Sequence, residues 1–175
     1  MDGSINNLDA ADSGLKDLED CPTIKKRIRI DGTPITSLKG ISPEIQELAM
    51  FFCKQLTAID APMPNVTKIS AAGCSFKTLK DIHKFCPKLE DLQINACPIE
   101  SHILGLLKIA SLKPNVLGGR SGNQHFIGDD RNLMDRQDQA WKIVQHHLQS
   151  PPGNKRVIEC QSDLLDAGLD EYAQL

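Results

Sequence analysis

The sequence predicts an α/β fold in which a solenoid of about five short repeats forms a parallel β-sheet and a helix closes its C-terminal end. Three observations favour this fold class. An apolar pattern recurs every 20 to 23 residues in the first part of the chain. A small residue follows each predicted strand at one fixed position. Beyond the last repeat, apolar residues continue at helical spacing from about residue 130.

The repeat period is set by one apolar anchor in each predicted strand. The anchors lie 20, 20, 21 and 23 residues apart and are Leu8, Ile28, Leu48, Ile69 and Leu92. With the anchor as position four, apolar residues occupy eighteen of the twenty places at positions one, four, six and eleven, whereas a 40% apolar composition would fill about eight. The exceptions are Lys25 and Gln55, and Leu56 follows Gln55 directly. The pattern therefore does not arise from composition.

Position nine, where the chain leaves the strand, always carries a small residue. The five residues are Ser13, Thr33, Cys53, Cys74 and Cys97. A small side chain that can hydrogen-bond to the neighbouring loop fits there, because backbone amides at a strand end have lost their partners in the sheet. We expect the three cysteines to stack as small apolar side chains without a disulfide.

These repeats resemble the leucine-rich repeat family, whose pattern is LxxLxLxx(N/C)xL, over about residues 5 to 107. Repeats three to five resemble its cysteine-containing variety, as in CKQLTAI at 53–59. The resemblance implies parallel strands on a concave face and connecting segments on the convex side. No repeat has the asparagine often found at position nine, so we expect a weaker hydrogen-bond ladder there.

The chain divides into a solenoid at 1–117, a flexible loop at 118–129 and a C-terminal capping helix and tail at 130–175. At the end of the solenoid, helical spacing over 101–114 predicts a convex helix. Its apolar residues are Ile103, Leu106, Leu107 and Ala110.

The capping helix is predicted to begin at Asp130 and to end before Ser150-Pro151-Pro152-Gly153. Trp141, the only tryptophan, lies on its apolar stripe. Because an open solenoid needs a cover over its last repeat, we expect Trp141 to dock onto repeat five. The alternative is a separate helix that binds a partner. After it, KRVIECQ predicts a short strand, and DLLDAGLDEYAQL predicts a short amphipathic helix or tail.

Positions two, three, five, seven and eight of each strand point away from the core. Repeat three places Phe51 and Phe52 there, beside Ala72 and Gly73, which are too small to cover them. Exposed aromatic residues in such surroundings are typical of binding hot spots. The alternative is that repeat three is shifted by one residue, which would turn one phenylalanine into the core.

The residues that flank the two aromatics complete the candidate site. The predicted partner-binding residues are Phe51, Phe52, Arg29, Lys26, Gln93 and Asn95. Arg29 and Lys26 would lie on one flank, and the two amides on the other. Alternatively, the basic row of repeat two simply pairs with the acidic row of repeat one.

Residue types that carry catalysis or metal binding are present but not in the required patterns. His83 and Cys86 have no second ligand pair at zinc-site spacing. The adjacent His146 and His147 diverge on a helix, and Cys160 has no adjacent base. We therefore predict a protein that is not an enzyme and needs neither a cofactor nor a metal.

Charge and hydropathy narrow the class of partner. A net charge of −3 gives no reason to expect nucleic acid or an anionic membrane as partner. No apolar run approaches the roughly 20 residues of a membrane span, and the first twenty residues are acidic rather than a secretory leader. We expect an intracellular, cytoplasmic protein, with the nucleus left open.

The expected function is that of a protein-binding scaffold that recognises another protein on the concave face. Leucine-rich repeats also occur in substrate receptors of ubiquitin ligases, so a substrate-recognition or regulatory subunit of an enzyme complex is one alternative. A self-assembling structural protein is another, because the strand of repeat one is an exposed edge on which two chains could pair as a homodimer.

Overall fold

The repeats form one parallel sheet. The structure, a computed structural model, describes residues 3–114 and 131–175, so the expected flexible loop at 118–129 lies outside these ranges. Five strands pair in chain order, in a solenoid-like arrangement. They are β1 Ile5–Asp9, β2 Ile24–Arg29, β3 Glu47–Ala49, β4 Lys68–Ser70 and β5 Asp91–Gln93. The predicted parallel sheet of about five strands is confirmed.

The register of the sheet aligns the five anchors. Each anchor lies opposite the next across a parallel pair, in the order Leu8, Ile28, Leu48, Ile69 and Leu92. The last four of them are at most 1% exposed. Because side chains alternate between the two faces of a strand, this register places all the core positions on one face.

Both exceptions to the apolar pattern are filled by a neighbouring residue. Ile24, not Lys25, lies opposite Ile5, because the pairing of β1 with β2 shifts by one residue before Arg27. In repeat three, Leu56 is buried and Gln55 is exposed. One-residue adjustments therefore keep the core continuous.

A hydrogen-bond ladder runs through position nine. Each cysteine thiol there donates to the position-six carbonyl of the preceding repeat. These bonds join Cys53 Sγ to Ile30 O at 3.1 Å, Cys74 Sγ to Met50 O at 2.7 Å and Cys97 Sγ to Ala71 O at 3.1 Å. All six cysteines are free thiols. The expected polar role of position nine is therefore confirmed in repeats three to five.

The connecting segments contain only short helical turns. They are α1, Ile82–Phe85, and the 3₁₀ helix Leu104–Lys108. The convex helix predicted over 101–114 is therefore limited to five residues of 3₁₀ helix, and Ala110 is exposed. The physical reason is the spacing of the buried residues in this segment, since three residues per turn is the 3₁₀ period. Ile103, Leu106, Ile109 and Leu112 recur at this interval, and Leu104 and Leu107 form a second pair three residues apart.

The predicted capping helix is present as α2, Arg131–Leu148. Trp141 is only 2% exposed and belongs to the core. The Gln137 Nε2 atom donates to the Cys97 carbonyl of repeat five at 2.8 Å. These contacts confirm that α2 docks onto the last repeat. None of the helices within 3–114 and 131–175 has both the length and the apolar content of a membrane span.

A second helix, α3, occupies Asn154–Asp166, so the strand predicted for KRVIECQ is wrong. Val157, Cys160 and Leu164 are buried on one face of α3. Their helical spacing outweighs the strand preference of the Val157-Ile158 pair. The predicted helix or tail that follows is partly α3 and partly a turn that buries Tyr172.

The cap is fixed to the last repeat by buried polar contacts. The Arg156 guanidinium donates to the carbonyls of Leu107 at 2.9 Å, Ile109 at 3.3 Å and Ser150 at 3.0 Å. The Tyr172 hydroxyl lies 3.3 Å from the Ile99 carbonyl, to which it donates. The C-terminal region therefore covers repeat five and leaves the edge strand β1 at the opposite end of the sheet.

Candidate functional site

The six predicted partner-binding residues lie in or shortly after strands β2, β3 and β5. Alternation from the buried core positions places Arg29, Phe51 and Gln93 on the face of the sheet opposite the core, which we call the strand face. Lys26, Arg29 and Phe52 are exposed. Phe51, Gln93 and Asn95 are half-buried. The strand order places the two cations in repeat two and the two amides in repeat five, with repeats three and four between them. The six residues are therefore spread over three repeats and do not form one cluster.

The two aromatics stay out of the core. Phe52 is 53% exposed, and Phe51 is half-buried on the strand face. The one-residue shift of repeat three begins only after Cys53, where Leu56 takes the buried place. The alternative in which a phenylalanine turns inward is therefore wrong.

Position eight has a left-handed backbone in all five repeats. The φ angles are 55° for Asp12, 66° for Gly32, 58° for Phe52, 73° for Gly73 and 59° for Ala96. Glycine adopts this conformation freely, whereas a bulky side chain is strained in it. Phe52 is the only large apolar residue in this row, so repeat three tolerates strain that repeats two and four avoid.

The ring of Phe52 is held in place by its neighbours. It lies over Gly73, where an added Cβ would come within 2.6 Å of the Phe52 Cδ1 atom. The Lys54 Nζ atom lies 5.6 Å from the ring centroid and donates to the Gly73 carbonyl at 2.7 Å. Glycine at position 73 is therefore required for this ring position, and the ring is exposed but not free.

Arg29 is hydrogen-bonded to two aspartates, and one of these also binds the backbone of Phe51. Its Nε donates to Asp31 Oδ2 at 2.7 Å, and its Nη1 to Asp9 Oδ2 at 3.3 Å. The other Asp31 oxygen accepts the Phe51 amide at 2.9 Å. The hydrogen bond that Arg29 donates to Asp31 raises the pKa of Arg29. A hydrogen bond from the Ala11 amide lowers the pKa of Asp9, with Arg29 adding to the effect.

A row of alternating charges crosses the strand face at position three. The register places its members opposite one another on four adjacent strands, in the order Arg27, Glu47, Lys68 and Asp91. No two of them form an ion pair within 4 Å. We call these four residues the charge row. It is visible in the sequence only when position three is compared across repeats instead of along each strand.

A depression of about 120 Å³ lies between the charge row and Phe51. Its walls include Arg27, Glu47 and Lys68, and its floor includes Ala49 and Ser70. Ala49 is 5% and Ser70 is 9% exposed. This floor of small residues was not predicted, and its sequence signal is the pair of small residues at position five of repeats three and four.

Three of the residues considered for metal binding or catalysis, Cys86, Cys160 and His147, are buried. Burial raises the pKa of the Cys86 and Cys160 thiols to about 12. The His147 Nε2 atom lies 2.7 Å from Asp163 Oδ2. Among residues 3–114 and 131–175, no three His, Cys, Asp or Glu side chains are grouped as metal ligands. His83 keeps a buried Nδ1 without a hydrogen-bond partner in these ranges, and burial lowers its pKa.

Comparison with known proteins gives no assignment: no family model, curated protein or solved structure significantly matches the chain.

Proposed function

We propose that the chain is a non-catalytic protein-binding module of the leucine-rich repeat type, which binds a segment of another protein on its strand face, the concave side of the solenoid. The observation that carries this proposal is Phe52, a large aromatic residue held exposed in a left-handed backbone conformation. The period of 20 to 23 residues and the thiol ladder at position nine support the family assignment.

Packing in the core does not explain why Phe52 has a left-handed conformation, because its side chain is exposed. A residue held in the left-handed region costs about 1–3 kcal/mol. Gly32 and Gly73 occupy the same place in the adjacent repeats without that cost. An exposed ring that strains the backbone and adds nothing to the core favours a role in binding.

The surroundings of Phe52 hold its ring rigid, which favours binding of a partner with little loss of conformational entropy. Its ring is fixed between Gly73 and Lys54, and Asp31 fixes the Phe51 backbone. A rigid aromatic residue loses little conformational entropy when a partner covers it. The small depression lined by the adjacent Phe51 can receive a partner side chain, which is the usual geometry of a hot spot.

The absence of catalysis is part of the proposal. The raised pKa values of the Cys86 and Cys160 thiols support a packing role, because nucleophilic cysteines have lowered pKa values. The backbone contacts of Cys74 and Cys97 support the same role.

The test is affinity capture from a native lysate with three forms of the full chain. Phe52→Gly should lose the captured partner and leave the free energy of unfolding unchanged or up to about 1 kcal/mol higher, since it relieves the left-handed strain. Ile158→Ala, an exposed apolar residue on α3, is the matched control and should retain capture. Equal capture by all three forms would refute the proposal.

Self-assembly is a second candidate, supported by the outer edge of β1, with which no strand in the described part of the chain pairs. Ile5 on this strand is 38% exposed, and the described C-terminal helices lie at the other end of the sheet. An uncovered edge strand can pair with the same strand of a second copy. Light scattering over a range of protein concentrations tests this, and a constant monomer mass rules it out.

A further inference from the structure

We propose that the strand face binds an amphipathic α-helix that lies across the strands and presents acidic, basic, acidic and basic side chains to the charge row. This inference rests on the proposed function, because it names the chemistry of the partner at the same surface. It follows from the order of the charges, their spacing and the position of the aromatics.

The order of the charges calls for an alternating partner. Neighbours in the charge row have opposite signs and lie directly opposite one another in register, so they could neutralise each other across the strands. They form no such ion pairs within 4 Å, and each charge remains available to a partner. Arg27, Glu47 and Lys68 are exposed, and Asp91 is half-buried.

The charge balance of this row disfavours a polyanion. Two cations and two anions sum to zero, whereas nucleic acid requires a basic surface that releases counterions. A partner with charges of a single sign would meet two repulsive contacts for every two attractive ones. A partner of alternating sign meets four attractive contacts.

The spacing of the charge row selects a helix over an extended chain. Adjacent strands lie about 4.8 Å apart, so the row spans about 14 Å. On a helix, four residues on one face at intervals of three, four and three residues span about 15 Å. On an extended chain, side chains on one face repeat every ~6.8 Å, and four of them span about 20 Å. Only the helix stays in register over all four strands.

The aromatics and the depression fix how the helix sits. Phe51 and Phe52 lie in the same repeat as Glu47 but farther along the chain, on one side of the charge row. An apolar residue on the corresponding flank of the helix would contact them beside the basic residue that faces Glu47. The small floor residues Ala49 and Ser70 allow a side chain of the helix to enter the depression.

The test measures binding of two synthetic helices to the full chain by fluorescence polarisation. Both peptides carry the same residues and the same hydrocarbon staple, and both have a leucine on the flank that faces Phe52. One presents its charges in the order acidic, basic, acidic, basic, and the other in the order acidic, acidic, basic, basic. We expect the alternating peptide to bind about tenfold more tightly, equivalent to ~1.4 kcal/mol.

The matched variant exchanges two charges of the protein. Glu47→Lys together with Lys68→Glu keeps the net charge and changes the row from alternating to paired order. The preference should then transfer to the second peptide, and high salt should reduce it in both proteins, because 1 M salt shortens the screening length to about 3 Å.

Two results would overturn the inference, and both are distinct from failure of the proposed function. If both peptides bind equally and Phe52→Gly abolishes binding, the surface binds helices without reading charge order, and the proposed function stands. If neither peptide binds, the helix is excluded as the occupant, and the capture experiment with Phe52→Gly still decides whether the strand face binds protein.

Discussion

Repeats one and five follow the same apolar pattern but differ in how much they bury. Leu8, the anchor of repeat one, is half-buried, whereas Leu92, the anchor of repeat five, is fully buried. At position one, Ile5 is 38% exposed and Leu89 is 0% exposed. Both strands form in register with a neighbour, so the difference is not in the strand itself.

The difference shows that burial in this fold comes from the neighbours of a repeat. Repeat five packs between repeat four and the helices α2 and α3, whereas the described residues cover only one side of repeat one. One repeat cannot bury its own apolar face, and each interface supplies half of the cover. The same apolar residue should therefore contribute differently to stability at the two ends.

The largest expected effect is at the anchors. Leu92→Ala should lower the free energy of unfolding by about 2–5 kcal/mol, because it leaves a cavity in a closed site. Leu8→Ala should cost about 1 kcal/mol, because Leu8 buries less apolar surface. Urea unfolding followed by circular dichroism measures both. Equal losses would show that repeat one is covered as fully as repeat five.

The next effect concerns the buried guanidinium that joins the cap to repeat five. Arg156→Gln should cost about 2–3 kcal/mol, because a shorter side chain leaves carbonyls of the 3₁₀ helix region unpaired. Lys155→Gln is the control, since its side chain is 87% exposed, and should change stability by less than about 0.5 kcal/mol. A matching loss in the control would show that the helix, not the buried contact, is responsible.

A smaller effect on Tm is expected at position nine, where Cys97 of repeat five is compared with Ser13 of repeat one. Cys97→Ala removes the donor to Ala71 and should lower Tm by about 2–4 °C, equivalent to roughly 1 kcal/mol in a chain of this size. Ser13→Ala, in exposed repeat one, should change Tm by less than half as much. Cys97→Ser should recover part of the loss, and no recovery would indicate that packing rather than hydrogen bonding stabilises this position.

The smallest effect is a pH dependence of the same cysteine. Burial raises the pKa of Cys97 to about 11, above the unfolded thiol value of about 8.5. Its contribution to stability is therefore complete below pH ~8 and is lost as the pH rises from about 8.5 to 11. Between pH 8 and 9, Cys97→Ser should therefore lose less stability than the wild type in urea titrations. Cys21→Ser, in half-buried surroundings, should show a smaller difference.

The parts of the fold that depend on the core could be predicted from the sequence. The spacing of the anchors fixed the strand register, because a slip by one residue would expose the whole apolar set. The stripe that contains Trp141 predicted the capping helix, because apolar residues at helical spacing need an apolar surface to cover.

The secondary structure of short segments whose sequence fits two conformations could not be predicted. The KRVIECQ segment is short and contains a β-branched pair, and a short apolar run fits a strand and a buried helix equally well. Only the surface of repeat five, with the carbonyls that receive Arg156, selects the helix. The 3₁₀ helix was likewise hidden, because its spacing of three also occurs within a regular helix.

The candidate site was predicted in part for a similar reason. Phe51 and Phe52 stand out within a single repeat, so sequence alone identified them as candidates. The charge row is formed by residues 20 to 23 positions apart and appears only when the register is known. The support that Arg29 gives to Phe51 through Asp31 also crosses repeats, and the sequence offered no signal for it.

The polar contacts are the same at the three junctions between repeats two and five. The position-nine thiol donates to the repeat before, and the position-six amides of Ile30, Met50 and Ala71 donate to the repeat after. If tandem duplication copied an internal repeat, its hydrogen-bonding groups would have matching partners in the repeats on both sides, and none would be left unpaired. The chain can therefore lengthen or shorten by whole units during evolution, and the reach of its recognition surface can change while the chemistry of the interior stays constant.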